Sequence, residues 1–325
     1  MSQAAPPGWP HAHSPFHAGE RAMQERVGVG SKMEVAGRRA IRDYMPEQHR
    51  EFFPLLPFLL VGTVDPHGQP WASVVAGPSG FITSPDPHHL RVRAQPQPGD
   101  PLAETLLDGA AIGLLGIQPH TRRRNRMNGI VESLGEDGFS VRVVRSFGNC
   151  PKYIQAREPA YVGEGGMGSS VQAGQLDAAM QRMIAAADTF FVATTFTGDG
   201  DDAANPHGAD VSHRGGKPGF VRIEDARTLT VPDFIGNFYF NTLGNLLLEP
   251  RAGLLFMDFA TGDLLQLACE AEIIFDGPEV ATFTGAQRLL RFHVREALLR
   301  ERALPLRWGE AELSPNLAAM GAWSK

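Results

Sequence analysis

ADVSHRGGKPGFVRIEDARTLTVPDFIGN, residues 209–237, carries the pattern that decides the fold. Its opening residues alternate, so on a strand Asp210, Ser212 and Arg214 share one face while Val211 and His213 take the other. A glycine-rich turn and a further strand follow. The same order occurs earlier in the chain: GFITSPDPHHLRV (80–92) matches GFVRIEDARTLTV (219–231), an offset of 139 residues from Gly80 to Gly219. FLLVGTV (58–64) has a counterpart in FFVATTF (190–196), and IGLLGI (112–117) in AGLLFM (252–257), with 140 residues from Gly113 to Gly253. Three blocks in one order at nearly constant spacing point to an internal duplication. The rival reading is that any two β-rich domains share such patterns.

Each unit reads as a hairpin, a glycine turn, a strand, a short helix (PLAETLLDG, NTLGNLLLEP) and a second hairpin. About six strands per unit are too few for a sandwich and suit a small closed barrel. Working outward, the chain divides into an N-terminal tail and helices (1–45), a first barrel domain (46–150), a linker and helix (151–187), a second barrel domain (188–285) and a C-terminal helix and tail (286–325). Residues 1–16, rich in Pro, His and Ala, are expected to be mobile or draped on the surface. AGERAMQERVG, KMEVAGRRAIRDYM and PEQHREFFPLL predict helices before the first barrel, the last opening on Pro46 and Glu47. Residues 151–174 are Gly-rich and aperiodic; Leu176, Met180, Met183 and Ile184 then make one apolar stripe of a helix over 175–187. Residues 287–302 predict a further helix, stopped near Pro305.

Composition limits the function. A chain with 42% hydrophobic and 20% charged residues reads as a soluble globular protein, and a net charge of -6 speaks against a dedicated nucleic-acid binder. Cys150 and Cys269 cannot build a disulfide framework, which fits a reducing compartment. No basic region followed by an apolar stretch opens the chain, and no apolar window reaches membrane-spanning length. The expectation is a cytoplasmic protein with neither a membrane nor a nucleic-acid partner.

Segment 209–275 resembles the pyridoxamine 5'-phosphate oxidase-like family of FMN-binding split barrels. The shared elements are Ser212-x-Arg214-Gly215, Pro218-Gly219-Phe220-Val221, Pro232, Gly236-Asn237, and Pro250-Arg251 before an apolar strand. The first unit resembles the same family more distantly. The resemblance implies a mainly β fold with flanking helices, built as two tandem split β-barrel domains. It also implies a flavin held between barrels, FMN rather than FAD, in an oxidoreductase or a component of one. Relatives commonly carry an Arg two positions after the Gly-Asn pair, where this chain has Tyr239. The C-terminal Trp and Arg signatures of true pyridoxamine phosphate oxidases are missing, which speaks against vitamin B6 synthesis. The chain is more similar to the N-terminal part of longer flavin and iron–sulfur oxidoreductases, without a cysteine cluster for iron.

Arginine grips phosphate through paired charge-assisted bonds, and serine can meet the polar edge of a flavin ring. Asp210, Ser212 and Arg214 therefore make a candidate row, whose counterparts in the first unit are Trp71, Ser73 and Val75. The second hairpin shows the reverse asymmetry. HTRRRNRMNG puts Arg122, Arg124, Arg126 and Asn128 on one face, against Gly262, Leu264, Gln266 and Ala268 in the second unit. The two rows predict one composite site, with the second pseudo-site degenerate; a solvated arginine face is the plainer alternative. From GNFYFNT, Asn237, Tyr239, Asn241 and Thr242 are candidates for the phosphate or ribityl chain by family position. Phe238 and Phe240 have packing as an equal role. No residue stands out as an acid or base, so the small-molecule redox substrate or electron-transfer partner stays open.

Other motifs carry less. Gly163-x-Gly165-x-x-Gly168 matches a dinucleotide fingerprint but follows no buried strand. His11, His13 and His17 lack acidic or Cys partners for a metal, and the acidic run 199–202 reads as a hairpin tip. Alternation points Ser212 and His213 apart, so they form no nucleophile–base pair, and Cys269 reads as an inert core thiol. A cofactor-free duplicated barrel serving as a binding or partner module is the alternative function, and a flavin or haem-related carrier a third. A homodimer is expected, with a monomer allowed if the barrels pair within one chain.

Overall fold

The computed structural model describes residues 8–163, 168–196 and 208–324. The acidic run 199–202 and the middle of the glycine fingerprint lie outside the described residues. Before the first barrel come α1 (Ala18–Arg26), α2 (Gly30–Ala40) and α3 (Glu47–Arg50). The first sheet holds β1 (Phe58–Val64), β2 (Pro70–Ala76), β3 (Ile82–Asp86), β4 (His89–Val92), β5 (Ala111–Gln118), β6 (Arg123–Gly135) and β7 (Gly138–Gly148), with α4 (Leu102–Thr105) between β4 and β5. Two short strands, β8 (Pro159–Tyr161) and β9 (Ser170–Ala173), and α5 (Ala178–Ala186) follow. The second sheet comprises β10 (Thr189–Phe196), β11 (Gly208–Gly215), β12 (Arg222–Asp225), β13 (Thr228–Asp233), β14 (Arg251–Met257), β15 (Leu264–Ile274) and β16 (Arg288–Arg300), with α6 (Asn241–Leu248) between β13 and β14. The last strand, β17 (Leu306–Trp308), pairs with β8, and β9 adds to β16.

The first sheet runs β2-β1-β5-β6-β7-β4-β3 and the second β11-β10-β14-β15-β16-β13-β12, one topology used twice. Every strand of the first sheet sends residues into a single core that includes Leu59, Val75, Ile82, Leu90, Leu114, Met127 and Val141. The sheet therefore curls around that core, while its end strands β2 and β3 are not neighbours in the hydrogen-bonded order. That is a split barrel, and the second sheet repeats it around Phe190, Leu229, Leu254, Leu267 and Phe292. Strands β1 and β10 are apolar along both faces because both faces are buried. Leu59 and Val61 enter the first barrel's core, whereas Phe58 and Leu60 join Phe191, Val211 and Leu255 between the barrels.

Local chemistry is also repeated. Gly80 and Gly219 both take a left-handed backbone, φ 86° and 85°, which glycine adopts without steric cost. Thr63 and Thr105 share a hydroxyl hydrogen bond of 2.6 Å, and at the matching place Asn245 donates to Thr194 at 2.9 Å. The register corrects one alignment by a residue. Gly62 lies opposite Gly113 and Ala193 opposite Gly253, so 58–64 corresponds to 189–195 rather than 190–196. A slip of one would exchange core and interface faces throughout the strand.

The barrels meet through two reciprocal close approaches. A Cβ on Gly113 would lie 2.5 Å from the Ala209 carbonyl oxygen, and one on Gly253 would lie 2.3 Å from that of Pro70. Gly113→Ala or Gly253→Ala must push backbone against backbone, so each is expected to lower stability by about 1–3 kcal/mol. Chemical denaturation checks this, and an unchanged midpoint would contradict such tight barrel pairing.

Two expectations fail here. Residues 287–302 are not a helix: β16 pairs with both β15 and β13, so the second sheet extends past residue 285. Leu290, Phe292 and Val294 alternate into the core, but a bulge opposite Ala268/Cys269 makes the next core residue Ala297. That skipped step turns a period of two into a spacing that imitates a helix face. The N-terminal segment, from residue 8 on, is held in place: Trp9 and Phe16 are buried with Met33, Ile41, Phe147 and Tyr239. The 151–174 stretch likewise contains β8 and β9.

Candidate functional site

The rows on β6 and β11 meet where the barrels join. Arg126 donates from Nη1 to Asp210 Oδ2 at 2.6 Å and from Nη2 to Ser212 Oγ, with the side chains of the ion pair only 4% and 8% exposed. Thr242, in the first turn of α6, also donates to Ser212 Oγ, at 2.9 Å. With two donors on its oxygen, the Ser212 hydroxyl keeps its own proton for a ligand acceptor. Arg214 pairs with Asp233, which also meets Arg288 at 3.4 Å.

Arg126, Ser212, Arg214, Asp233 and Thr242 border a cleft that is open to solvent. Arg124, Arg126, Arg214 and Lys152 bring positive charge to it, and Phe220, Phe234, Phe238 and Phe240 bring an apolar wall. Arg124 stands apart from the others. Its Nε donates to the Cys150 carbonyl at 2.7 Å, but among the described residues no carboxylate lies within ion-pair reach of it. Burial, together with the Arg126 and Arg214 guanidinium groups, brings its pKa down to about 10. It still carries its charge at neutral pH, so an anion at this place would relieve a cost already present in the fold.

The α6 N-terminus opens into the same cleft. Asn241, Thr242 and Leu243 line it, and Phe240 at the cap position supplies no side-chain acceptor for the free N–H groups. Such a helix end favours a phosphate or carboxylate. Phe238 and Phe240 both hold positive φ, 62° and 60°, a costly backbone for bulky residues that fixes the approach to the helix. Asn237 Oδ1 accepts from the Tyr239 N–H at 3.1 Å, which fixes the turn and leaves the Asn237 amide nitrogen free to donate.

Of the sequence candidates, Arg124, Arg126, Ser212, Arg214, Asn237, Asn241 and Thr242 come together around the cleft. Three do not line it. Tyr239 is turned into the N-terminal aromatic cluster, its ring 5.3 Å from Phe16 and 5.7 Å from Phe147. Arg122 precedes β6 with φ 53°, which breaks the alternation, and it pairs with Glu312 at 2.7 Å. Asn128 donates to the Ala209 carbonyl at 3.0 Å and borders a smaller cavity behind Arg126, with His17, Glu20 and Arg145. Sequence reasoning missed Cys150, Lys152 and Tyr153, which reach the cleft from the segment after β7. One signal was available in Gly215, where a Cβ would lie 2.0 Å from the Tyr153 carbonyl oxygen. Among the described residues no cluster of His, Cys, Asp or Glu could hold a metal, and no helix is long and apolar enough to cross a membrane.

His213 is buried between the cleft and the Phe191 ring, 5.7 Å between centroids. Burial first, then Arg124, Arg214 and Arg157, hold it neutral, well below its ordinary range. In the first barrel, His49 meets Ser146 Oγ at 2.7 Å and is lowered by burial, Arg42 and Arg123 to about 4. Both histidines bind protons more readily when unfolded. Their contribution to stability is therefore complete above the unfolded value of 6.5 and is lost as pH falls below it, for His49 down to about 4. For His49 the loss is about 3 kcal/mol across that window. Urea midpoints should fall steeply between pH 7 and pH 5, and less steeply in His49→Asn; parallel curves would contradict the assignment.

Two tandem split barrels with a cationic cleft at their junction define the architecture. No family model matches the chain, and no curated protein matches it. Among solved structures, the chain is similar to HupZ of Group A Streptococcus at 16% identity, over 37% of this chain and 89% of that one, with a TM-score of 0.28. It is also similar to a provisionally named pyridoxamine 5'-phosphate oxidase of Lactobacillus delbrueckii, at 12% identity over 40% and 98%, TM-score 0.31. An FAD-binding protein of Mesorhizobium loti aligns at 11% identity over 40% and 97%, TM-score 0.26.

Proposed function

We propose that the cleft binds a flavin, FMN in preference to FAD, and that the chain is a flavin-dependent oxidoreductase or a component of one. The observation that carries this reading is Arg124, a half-buried cation without an acid partner among the described residues, beside the uncapped start of α6. A terminal phosphate fits these groups, and the phenylalanine wall fits a flat aromatic ring. Ser212 and Asn237 have free donors for the polar atoms of the ligand. Arg126 and Arg214 hold the walls through Asp210 and Asp233 and add to the local positive field. When bound, a flavin would supply reversible electron uptake; the protein would orient it, exclude water from one face and set its hydrogen bonds. A small-molecule redox substrate or an electron-transfer partner would approach through the open side. The repeated topology is read as an internal duplication that brings the two halves of a dimer site into one chain. The two unpaired cysteines support reading the chain as cytoplasmic.

Visible spectra of the purified protein, before and after adding FMN, FAD and a reductant, test the reading. Flavin bands that shift on binding and bleach on reduction are expected, with tighter binding of FMN. A colourless chain that neither binds nor perturbs either flavin would overturn it and favour a partner module.

A further inference from the structure

The barrel pairing places a second position opposite the cleft, related to it by the approximate twofold of the reciprocal glycine contacts. Strand registers identify its residues. Arg126 lies opposite Phe147 on β7, and Gln266 lies opposite Leu298 on β16, so Gln266 takes the place of Arg126. Leu264, opposite Arg300, takes that of Arg124, whose carbonyl meets the Asn149 N–H in the first barrel. Arg300 therefore answers to Asn149. Ser73 answers to Ser212, at the offset fixed by Gly80 and Gly219. The equivalent Thr63–Thr105 and Thr194–Asn245 hydrogen bonds set α4 against α6, so Asp100 falls at the position of Phe240.

The substitutions exchange an open cationic site for a closed, neutral one. Asp100 accepts from the Ser73 hydroxyl at 2.5 Å, from Gln266 Nε2 at 3.3 Å and from the Leu102 N–H at 2.9 Å. Its other carboxylate oxygen pairs with Arg300, which also donates to Gln266 Oε1 at 3.0 Å. Ser73, Gln266, Asp100 and Arg300 are all buried, none more than 3% exposed. At the cleft, by contrast, Arg124 lacks an acid partner among the described residues and Ser212 keeps a donor free.

We propose that Asp100 is a built-in counter-anion occupying the second of two pseudo-twofold-related anion positions, so that the chain takes one phosphate-bearing ligand, at the cleft, and none beside Ser73. The ligand count rests on the flavin reading; the role of Asp100 does not. Removing the carboxylate leaves the Arg300 guanidinium buried beside a hole of carboxylate size. Formate in excess should therefore raise the melting temperature of Asp100→Ala by several degrees. It should leave wild type and the double variant Asp100→Ala/Arg300→Met unmoved. Formate that moves all three alike, or none, overturns the proposal. Should Asp100→Ala fail to fold, Asp100→Asn keeps the shape without the charge. Adding Arg300→Met should then recover stability, and a double variant no more stable than Asp100→Asn overturns the proposal. Titration of wild type should saturate at one FMN per chain, and two would overturn it. Absence of FMN binding contradicts the flavin reading and leaves the formate comparison to decide the role of Asp100.

Discussion

Arg124→Ala is expected to weaken FMN binding roughly 100-fold, about 3 kcal/mol, while leaving the melting temperature unchanged or higher. The two halves of this expectation come from one observation. Arg124 has no acid partner among the described residues, and burial with two neighbouring guanidinium groups already disfavours its charge. Removing it relieves the folded protein of that cost and takes from the ligand its principal counter-ion. A purely structural arginine would behave in the opposite way. Fluorescence titration of FMN with the variant, beside a thermal melt, separates the two. Wild-type affinity in Arg124→Ala would remove it from the site.

Arg126→Ala should instead cost about 3–5 kcal/mol of stability, because Asp210 is left charged and buried at the barrel junction. Burial already pushes the Asp210 carboxyl upward, and Arg126 opposes that shift more than any other group. Ser212 would also lose one of its two donors, so ligand affinity should fall as a secondary effect. The double variant Arg126→Met/Asp210→Leu should recover most of the lost stability, since it removes both buried charges at similar volume. Urea denaturation of wild type, Arg126→Met, Asp210→Leu and the double variant measures the coupling; additive losses would mean that the pair does not hold the barrels together.

These two arginines show what was legible in the sequence. Alternation along β6 and β11 put Arg124, Arg126, Ser212 and Arg214 on facing rows, and they do line one cleft. Alternation cannot tell a side chain that is free from one whose charge is spent on a neighbour. That distinction needs Asp210 and Asp233, which a strand pattern leaves unpaired. The repeated topology was legible because glycine at positive φ and close backbone contact leave few other residues, as at Gly80, Gly219, Gly113 and Gly253. Residues 287–302 misled because a bulge in β16 broke the strand period. Tyr239 misled because family position says nothing of the N-terminal segment, whose Phe16 turns the ring away from the cleft. Cys150, Lys152 and Tyr153 were hidden in a stretch with no periodicity, held there by contacts such as that of Tyr153 with Gly215.

We propose that the two halves of the chain build one flavin site between them. Equilibrium titration of the purified protein with FMN, followed by flavin fluorescence and absorbance, tests it most directly. Saturable binding at one FMN per chain is expected, with altered flavin bands and an affinity that falls sharply in Arg124→Ala. Free flavin spectra at every protein concentration, or binding indifferent to Arg124, would contradict it.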